Sequence, residues 1–179
     1  MLTITIPASE QYDDSKGQFV TTKQQTVTLE HSLISISKWE SKWKKSFLSS
    51  KGLTQEEIVD YIRCMNLTQN VDPNVFSYLP NDLYKKILDY ISDPMTATTF
   101  SDDNHRPSRE VITSEIIYYW MISFNIPVSF EKWHLNRLLA LIRVCSLKNQ
   151  TPKNMPRKEA LSRQHSLNAA RRAAMHTRG

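Results

Sequence analysis

Glycine is scarce, with three in 179 residues. That leaves no room for a phosphate-cradling loop or a dinucleotide fingerprint, which need several glycines for close backbone approach. With eight prolines as well, the chain is neither collagenous nor Gly-rich low-complexity. Cysteine is scarcer still. Cys64 and Cys145 stand far apart and outside any metal-ligand spacing, so a disulfide framework is excluded and a reducing compartment is the simpler reading. No apolar run approaches the ~18 residues of a membrane helix, and residues 1–7 lack the positive start of a signal peptide. None of His31, His105, His134, His165 and His176 pairs with another at three or four residues, so a helical two-histidine metal site is absent. There is no Gly-x-Ser-x-Gly elbow and no cysteine with an evident activating partner. Nothing here supports an enzyme, and no cofactor is indicated.

What remains is ordinary globular composition, 40% hydrophobic and 23% charged, with an uneven charge distribution. The chain carries 23 basic and 18 acidic groups, a net charge of +5. Its last 29 residues hold seven of the former (Lys153, Arg157, Lys158, Arg163, Arg171, Arg172, Arg178) and one of the latter, Glu159. Residues 151–179 thus carry +6 and residues 1–150 carry −1. Such asymmetry marks an appendage on a near-neutral body.

Periodicity divides the body. Leu2, Ile4 and Ile6 alternate with Thr3 and Thr5, and Thr26-Val27-Thr28-Leu29 alternates again, with the turn-forming run Gln11-Tyr12-Asp13-Asp14-Ser15-Lys16-Gly17 between them. This predicts one β-hairpin over about residues 1–30, with a long polar tip, packed on something else because a lone hairpin is marginal. After His31 the period becomes helical. Leu33, Ile36, Trp43 and Phe47 fall on one stripe beside Trp39. Thr54-Gln55-Glu56-Glu57 is a capping box opening a helix through Ile58, Ile62 and Met65 that ends near Asn66. Pro80 starts a third, through Leu83, Ile87, Leu88 and Ile91 to Asp93-Pro94. Residues 95–107 read as a polar loop. Ser108 is expected to start a long helix through Ile112, Ile116, Trp120 and Phe124. Its run Ile116-Ile117-Tyr118-Tyr119-Trp120-Met121-Ile122, apolar almost all round, predicts the central buried helix with Trp120 in the core. Ser129 is placed to cap the last body helix, with Leu135, Leu138, Leu139, Ile142 and Cys145 on one face. Residues 151–156 form a linker, and 157–175 an exposed basic helix with little apolar face, ordered only against a partner. The expected architecture is mainly α: a five-helix globular body with an N-terminal β-hairpin (1–150), then a basic linker and C-terminal helix (151–179).

Candidate chemistry is thin. His134 and Arg137, one turn apart, could orient a carboxylate or phosphate, though a solvated helix face is the better reading. Asp102-Asp103-Asn104-His105 reads as a polar loop rather than a cation site. Cys64 and Cys145 read as small core hydrophobes, and the tryptophans Trp39, Trp43, Trp120 and Trp133 as core rather than a stacking platform. Arg157, Lys158, Arg163, Arg171 and Arg172 are the residues placed to bind a partner. No aromatic is interleaved with the arginines, so docking on a protein is preferred to nucleic acid.

Segment order carries a resemblance. The hairpin feeds Leu29-Glu30-His31-Ser32-Leu33-Ile34-Ser35-Ile36-Ser37-Lys38-Trp39-Glu40. A helical body follows with Ile116-Ile117-Tyr118-Tyr119-Trp120-Met121 and Trp133-His134-Leu135-Asn136-Arg137-Leu138, and the chain closes on Leu167-Asn168-Ala169-Ala170-Arg171-Arg172 and Thr177-Arg178-Gly179. Over most of its length it resembles the tail assembly chaperones of long-tailed, siphovirus-like bacteriophages. The resemblance implies a non-enzymatic protein of the host bacterial cytoplasm, absent from the mature virion. It would coat the tape measure protein and bring tail tube protein to it, with self-association as a further use of the tail. It carries no functional residues across position by position. A structural virion component, such as a head–tail or tail completion protein, and a small nucleic-acid-binding regulator are the competing classes.

Overall fold

In the computed structural model, which describes residues 1–13, 17–50, 52–100, 110–149 and 157–175, the alternating start forms β1 (Leu2–Ile6). It pairs antiparallel with β4 (Gln25–Leu29), Ile4 opposite Val27 and Leu2 opposite Leu29. The inner face of Ile4, Ile6, Val27 and Leu29 is buried. On the outer face Thr5 and Thr26 hydroxyls meet at 3.1 Å. The expected long polar tip is shorter than the sequence suggested, because Ser9–Asp13 (β2) and Gln18–Thr22 (β3) form a second antiparallel ladder. Phe19, Val20, Thr21 and Thr22 are strand formers whose preference outweighs the turn character of Gln11-Tyr12-Asp13. Pro7, which has no N–H to donate, lies between β1 and β2 where the two ladders part. The other edge of β4 is covered by the chain beyond the second helix: Leu67 N–H donates to Thr28 O at 2.9 Å and Glu30 N–H to Met65 O at 3.0 Å.

Five helices follow in the first unit, Met1–Cys145, whose boundary falls within the fifth; the second unit is Ser146–Gly179. Helix α1 (Leu33–Trp43) is capped by Ser32, whose hydroxyl accepts the Ser35 N–H, and it buries Leu33, Ile36 and Trp39 completely. It stops at Lys44, which adopts the left-handed region at φ 55°. The expected stripe therefore ends at Trp43, and Phe47 returns on a turn to pack on Tyr61, ring centroids 4.0 Å apart. Helix α2 (Gln55–Met65) carries the full capping box at Thr54 and Glu57. A 3-10 turn, Pro73–Phe76, capped by Asp72, buries Val75 and Phe76 and was not signalled by periodicity. Helix α3 (Asn81–Ser92) follows Pro80 and ends before Pro94.

Two expectations fail in the next stretch. Helix α4 is Ser114–Ser123, so Ile112 precedes it outside any helix, while Ser108 lies outside the described residues, as do 101–107. The start is fixed from a distance, since Ser114 N–H donates to the Glu40 carboxylate at 2.8 Å and Ile112 N–H to the Ser49 hydroxyl at 2.9 Å. Nor is α4 the central buried helix. It buries only Ser114, Ile117 and Met121, leaving Tyr119 65% and Ile122 68% exposed and Trp120 half-buried at the core edge. The central helix is α1.

Ser129 does not cap the last body helix either. It sits in a second 3-10 turn, Val128–Lys132, and α5 (Leu135–Asn149) begins after Trp133 and His134. The first α5 amide, Leu135 N–H, donates to His31 O at 2.7 Å, and Leu135, Leu138 and Ile142 are buried. In the second unit α6 (Arg157–Ala174) is helical as expected, and the linker 151–156 lies outside the described residues. Helix dominates the described residues, so the mainly-α reading stands; the helical pieces there outnumber the expected ones because of the two 3-10 turns.

Two stability changes follow. Lys44→Gly removes a side chain from a left-handed residue and should raise the melting temperature by an amount equivalent to ~0.5–1 kcal/mol. Trp39→Ala, at a fully buried site, should cost ~3–5 kcal/mol in a denaturant titration, and Trp120→Ala clearly less, since water already reaches part of its ring.

Candidate functional site

Two places hold the polar chemistry, and only one was anticipated. The unanticipated one lies where β4 runs into α1. Glu30, His31 and Ser32 are consecutive, polar and buried, which the chain tolerates because each finds partners. Glu30 Oε1 accepts the Tyr90 hydroxyl of α3 at 2.6 Å, and Oε2 is 2.9 Å from the amine of Met1. His31, 2% exposed, shares a 2.5 Å hydrogen bond between Nδ1 and the Tyr61 hydroxyl of α2. His134, 7% exposed, donates from Nε2 to the Tyr90 carbonyl at 3.0 Å, which fixes that tautomer, and its Nδ1 is buried without a partner. The two imidazoles meet edge to face, centroids 5.0 Å apart. Burial, then the neighbouring His134, pulls the His31 pKa down to about 3. Burial pushes the Tyr61 and Tyr90 hydroxyls up, and for Tyr90 the hydrogen bond to Glu30 adds to it. All three are therefore neutral at pH 7.

A cavity of about 290 Å³ opens beside this cluster, lined by Met1, Glu30, Met95, Lys132, Trp133, His134 and Arg137. The His134–Arg137 clamp that the sequence disfavoured does not form, and His134 does not lie on a solvated helix face either. His134 precedes α5 and turns inward to Tyr90, whereas the Arg137 guanidinium lies 4.4 Å over the Trp133 ring, which stacks in turn on Phe130 at 3.9 Å. The other tryptophans are structural. Trp39 and Trp43 lie 6.0 Å apart, their indoles donating to Glu57 O at 2.9 Å and to Asp60 Oδ2 at 2.8 Å. Cys64 is half-buried and its thiol is pushed up by burial, which keeps it protonated and a poor nucleophile. Among the described residues no group of three His, Cys, Asp or Glu side chains is placed to hold a metal, and Asp102, Asp103, Asn104 and His105 lie outside them.

The anticipated place is α6. Its 18 residues span about 27 Å, and residues 161–175 are exposed throughout. Arg163 sits mid-helix; Arg171 and Arg172 fall in the last turn, where they complement the negative end of the helix dipole. The backbone of Arg157 and Lys158 forms its first turn, and their side chains lie outside the description. The sequence showed this helix through its composition. It could not show the His31–His134 pair, because neither residue has a local partner; the one local signal was the polar run Glu30-His31-Ser32 inside an otherwise apolar stretch.

No family model, curated protein or solved structure matches the chain. Among the described residues no helix is long and apolar enough to cross a membrane.

The His31 environment sets a pH dependence. A histidine near 6.5 when unfolded and near 3 when folded leaves stability intact above about pH 6.5 and removes it as pH falls toward 3, because only states that expose His31 take up the proton. The loss should reach on the order of 3–5 kcal/mol, read as a falling urea midpoint between pH 7 and pH 4. Tyr90→Phe, which leaves Glu30 Oε1 buried without its donor, should cost ~1–3 kcal/mol at pH 7.

Proposed function

We propose that this chain is a non-enzymatic tail assembly chaperone of a long-tailed bacteriophage, acting in the host bacterial cytoplasm and absent from the finished particle. In this reading the helical body gives solubility and α6 is the arm that engages the tape measure protein, tail tube protein or a neighbouring chaperone. The observation that carries the reading is α6 itself, an 18-residue helix whose residues 161–174 are exposed, within a segment that holds the chain's excess positive charge. A helix with so little apolar surface gains little from its own chain, and gains order when an oppositely charged or helical partner covers it. The exposed Tyr119 and Ile122 on α4 offer the body a second, apolar contact of the kind helices use in grooves. The resemblance of segments 29–40, 116–121, 133–138 and 167–172 to such chaperones supplies the identity of the partner.

The test is co-expression with the adjacent tape measure protein. Deleting residues 151–179 should leave the melting temperature of the body within about 1 °C, since the described side chains of α6 are exposed, and should reduce co-purified tape measure protein at least several-fold. Full solubilisation by the truncated chain would move the binding site onto the body. Detection of the chain in purified virions by mass spectrometry would favour a structural component instead. Steeply salt-dependent gel shifts would favour the nucleic-acid regulator.

A further inference from the structure

We propose that His31 is the proton-sensitive bolt of a latch that holds the start of α5 on the β4–α1 junction, and that acid frees α5 while α1 and α2 remain paired. The argument begins with how α5 is attached. Its described hydrogen bonds to the rest of the first unit gather at residues 134–136: Leu135 N–H to His31 O at 2.7 Å, His134 Nε2 to Tyr90 O at 3.0 Å, and Asn136 Nδ2 to Ile91 O and Asp93 O at 3.0 and 2.8 Å. Ser32 and His134 also form an isolated backbone bridge. His31 thus offers its carbonyl to the first α5 amide and its ring to the residue before it.

The surroundings do not welcome a proton there. From the β4–α1 junction comes Glu30, whose two oxygens are already matched by the Tyr90 hydroxyl and the Met1 amine. From α2 come Tyr61, which holds His31 Nδ1, and Cys64 close to Tyr61. From α3 come Tyr90 and Asp93, from the second 3-10 turn Lys132, and from α5 Arg137. Lys132, Arg137 and the amine make the cavity side of the cluster cationic, and the neighbouring ring of His134 adds no acceptor carboxylate. A charged imidazole is therefore better hydrated with the latch open. Opening exposes the α5 stripe of Leu135, Leu138 and Ile142. The α1–α2 pairing rests on other groups: Trp39 on Glu57 O, Trp43 and Lys42 on Asp60, and Lys45 on Glu57. The Lys45 hydrogen bond holds the Glu57 carboxyl below its ordinary range, so this clasp outlasts mild acid.

Between pH 6.5 and 4.5 each pH unit should multiply the open population by about ten. Amide hydrogen exchange of the full chain, corrected for intrinsic rates, should show protection in residues 138–142 falling roughly 100-fold over that range and staying well below that of α1 and α2 at every pH. Equal protection of α1, α2 and α5 at each pH, or no loss in α5, would overturn the proposal. His31→Gln keeps a hydrogen-bonding group toward Tyr61 and does not titrate, so it should flatten the α5 response. Should that variant fail to fold, His134→Gln provides the second arm. It keeps a donor toward the Tyr90 carbonyl and leaves His31 titratable, so acid must still loosen α5. A pH-independent α5 in His134→Gln would equally sink the idea.

Discussion

The carboxylate of Glu40 accepts one backbone N–H from Phe47 and one from Ser114, two segments that no local spacing brings together, and it does so at 8% exposure. A buried carboxylate is costly unless its oxygens are matched, and here both have backbone donors. The pairing fixes the turn after α1, which returns Phe47 to Tyr61 and Trp39, and it supplies the first amide of α4 with the acceptor that Thr113 does not provide. Without it, α4 would lack its start and the aromatic cluster over α2 would lack Phe47. Ser46 and Ser49 reinforce the same junction by bonding to Ile112.

Where a cap is local, the sequence displayed it; where a cap is borrowed from elsewhere in the chain, it did not. Thr54 and Glu57 are three residues apart and satisfy each other, so α2 was readable to within a residue. Pro80 and Pro94 bracket α3 in the same self-contained way. Helices α4 and α5 begin on Glu40 and on His31 O, more than seventy residues upstream, and apolar spacing alone put their starts too early. The candidate site divides likewise. The basic helix was legible as composition, whereas the buried histidine pair comes from chain topology.

Hydrophobicity of α4 misled for a different reason. A helix apolar almost all round suggests burial on every side, yet this one packs through Ser114, Ile117 and Met121 and turns Tyr119 and Ile122 to water. Meanwhile α1, with serines, two lysines and a glutamate among its residues, is the central element, because Ser32, Ser35 and Glu40 each meet a partner inside. Polarity in a sequence measures the cost of burial only after hydrogen bonds are counted, and α1 makes them.

Two surfaces of different physical character follow from this arrangement. The exposed apolar residues of α4 gain from dehydration, a contribution that salt does not weaken. The arginines of α6 act through charge, which is screened beyond about 8–10 Å at physiological ionic strength. A partner held by both would keep its body contact and lose its arm contact as salt rises. A protein that must hold an aggregation-prone helix and later release it benefits from such a division. On the proposed reading the apolar contact would suppress non-specific collapse, while the charged arm would let go whenever a competing surface, such as a growing assembly, offered its arginines a denser field of acidic groups.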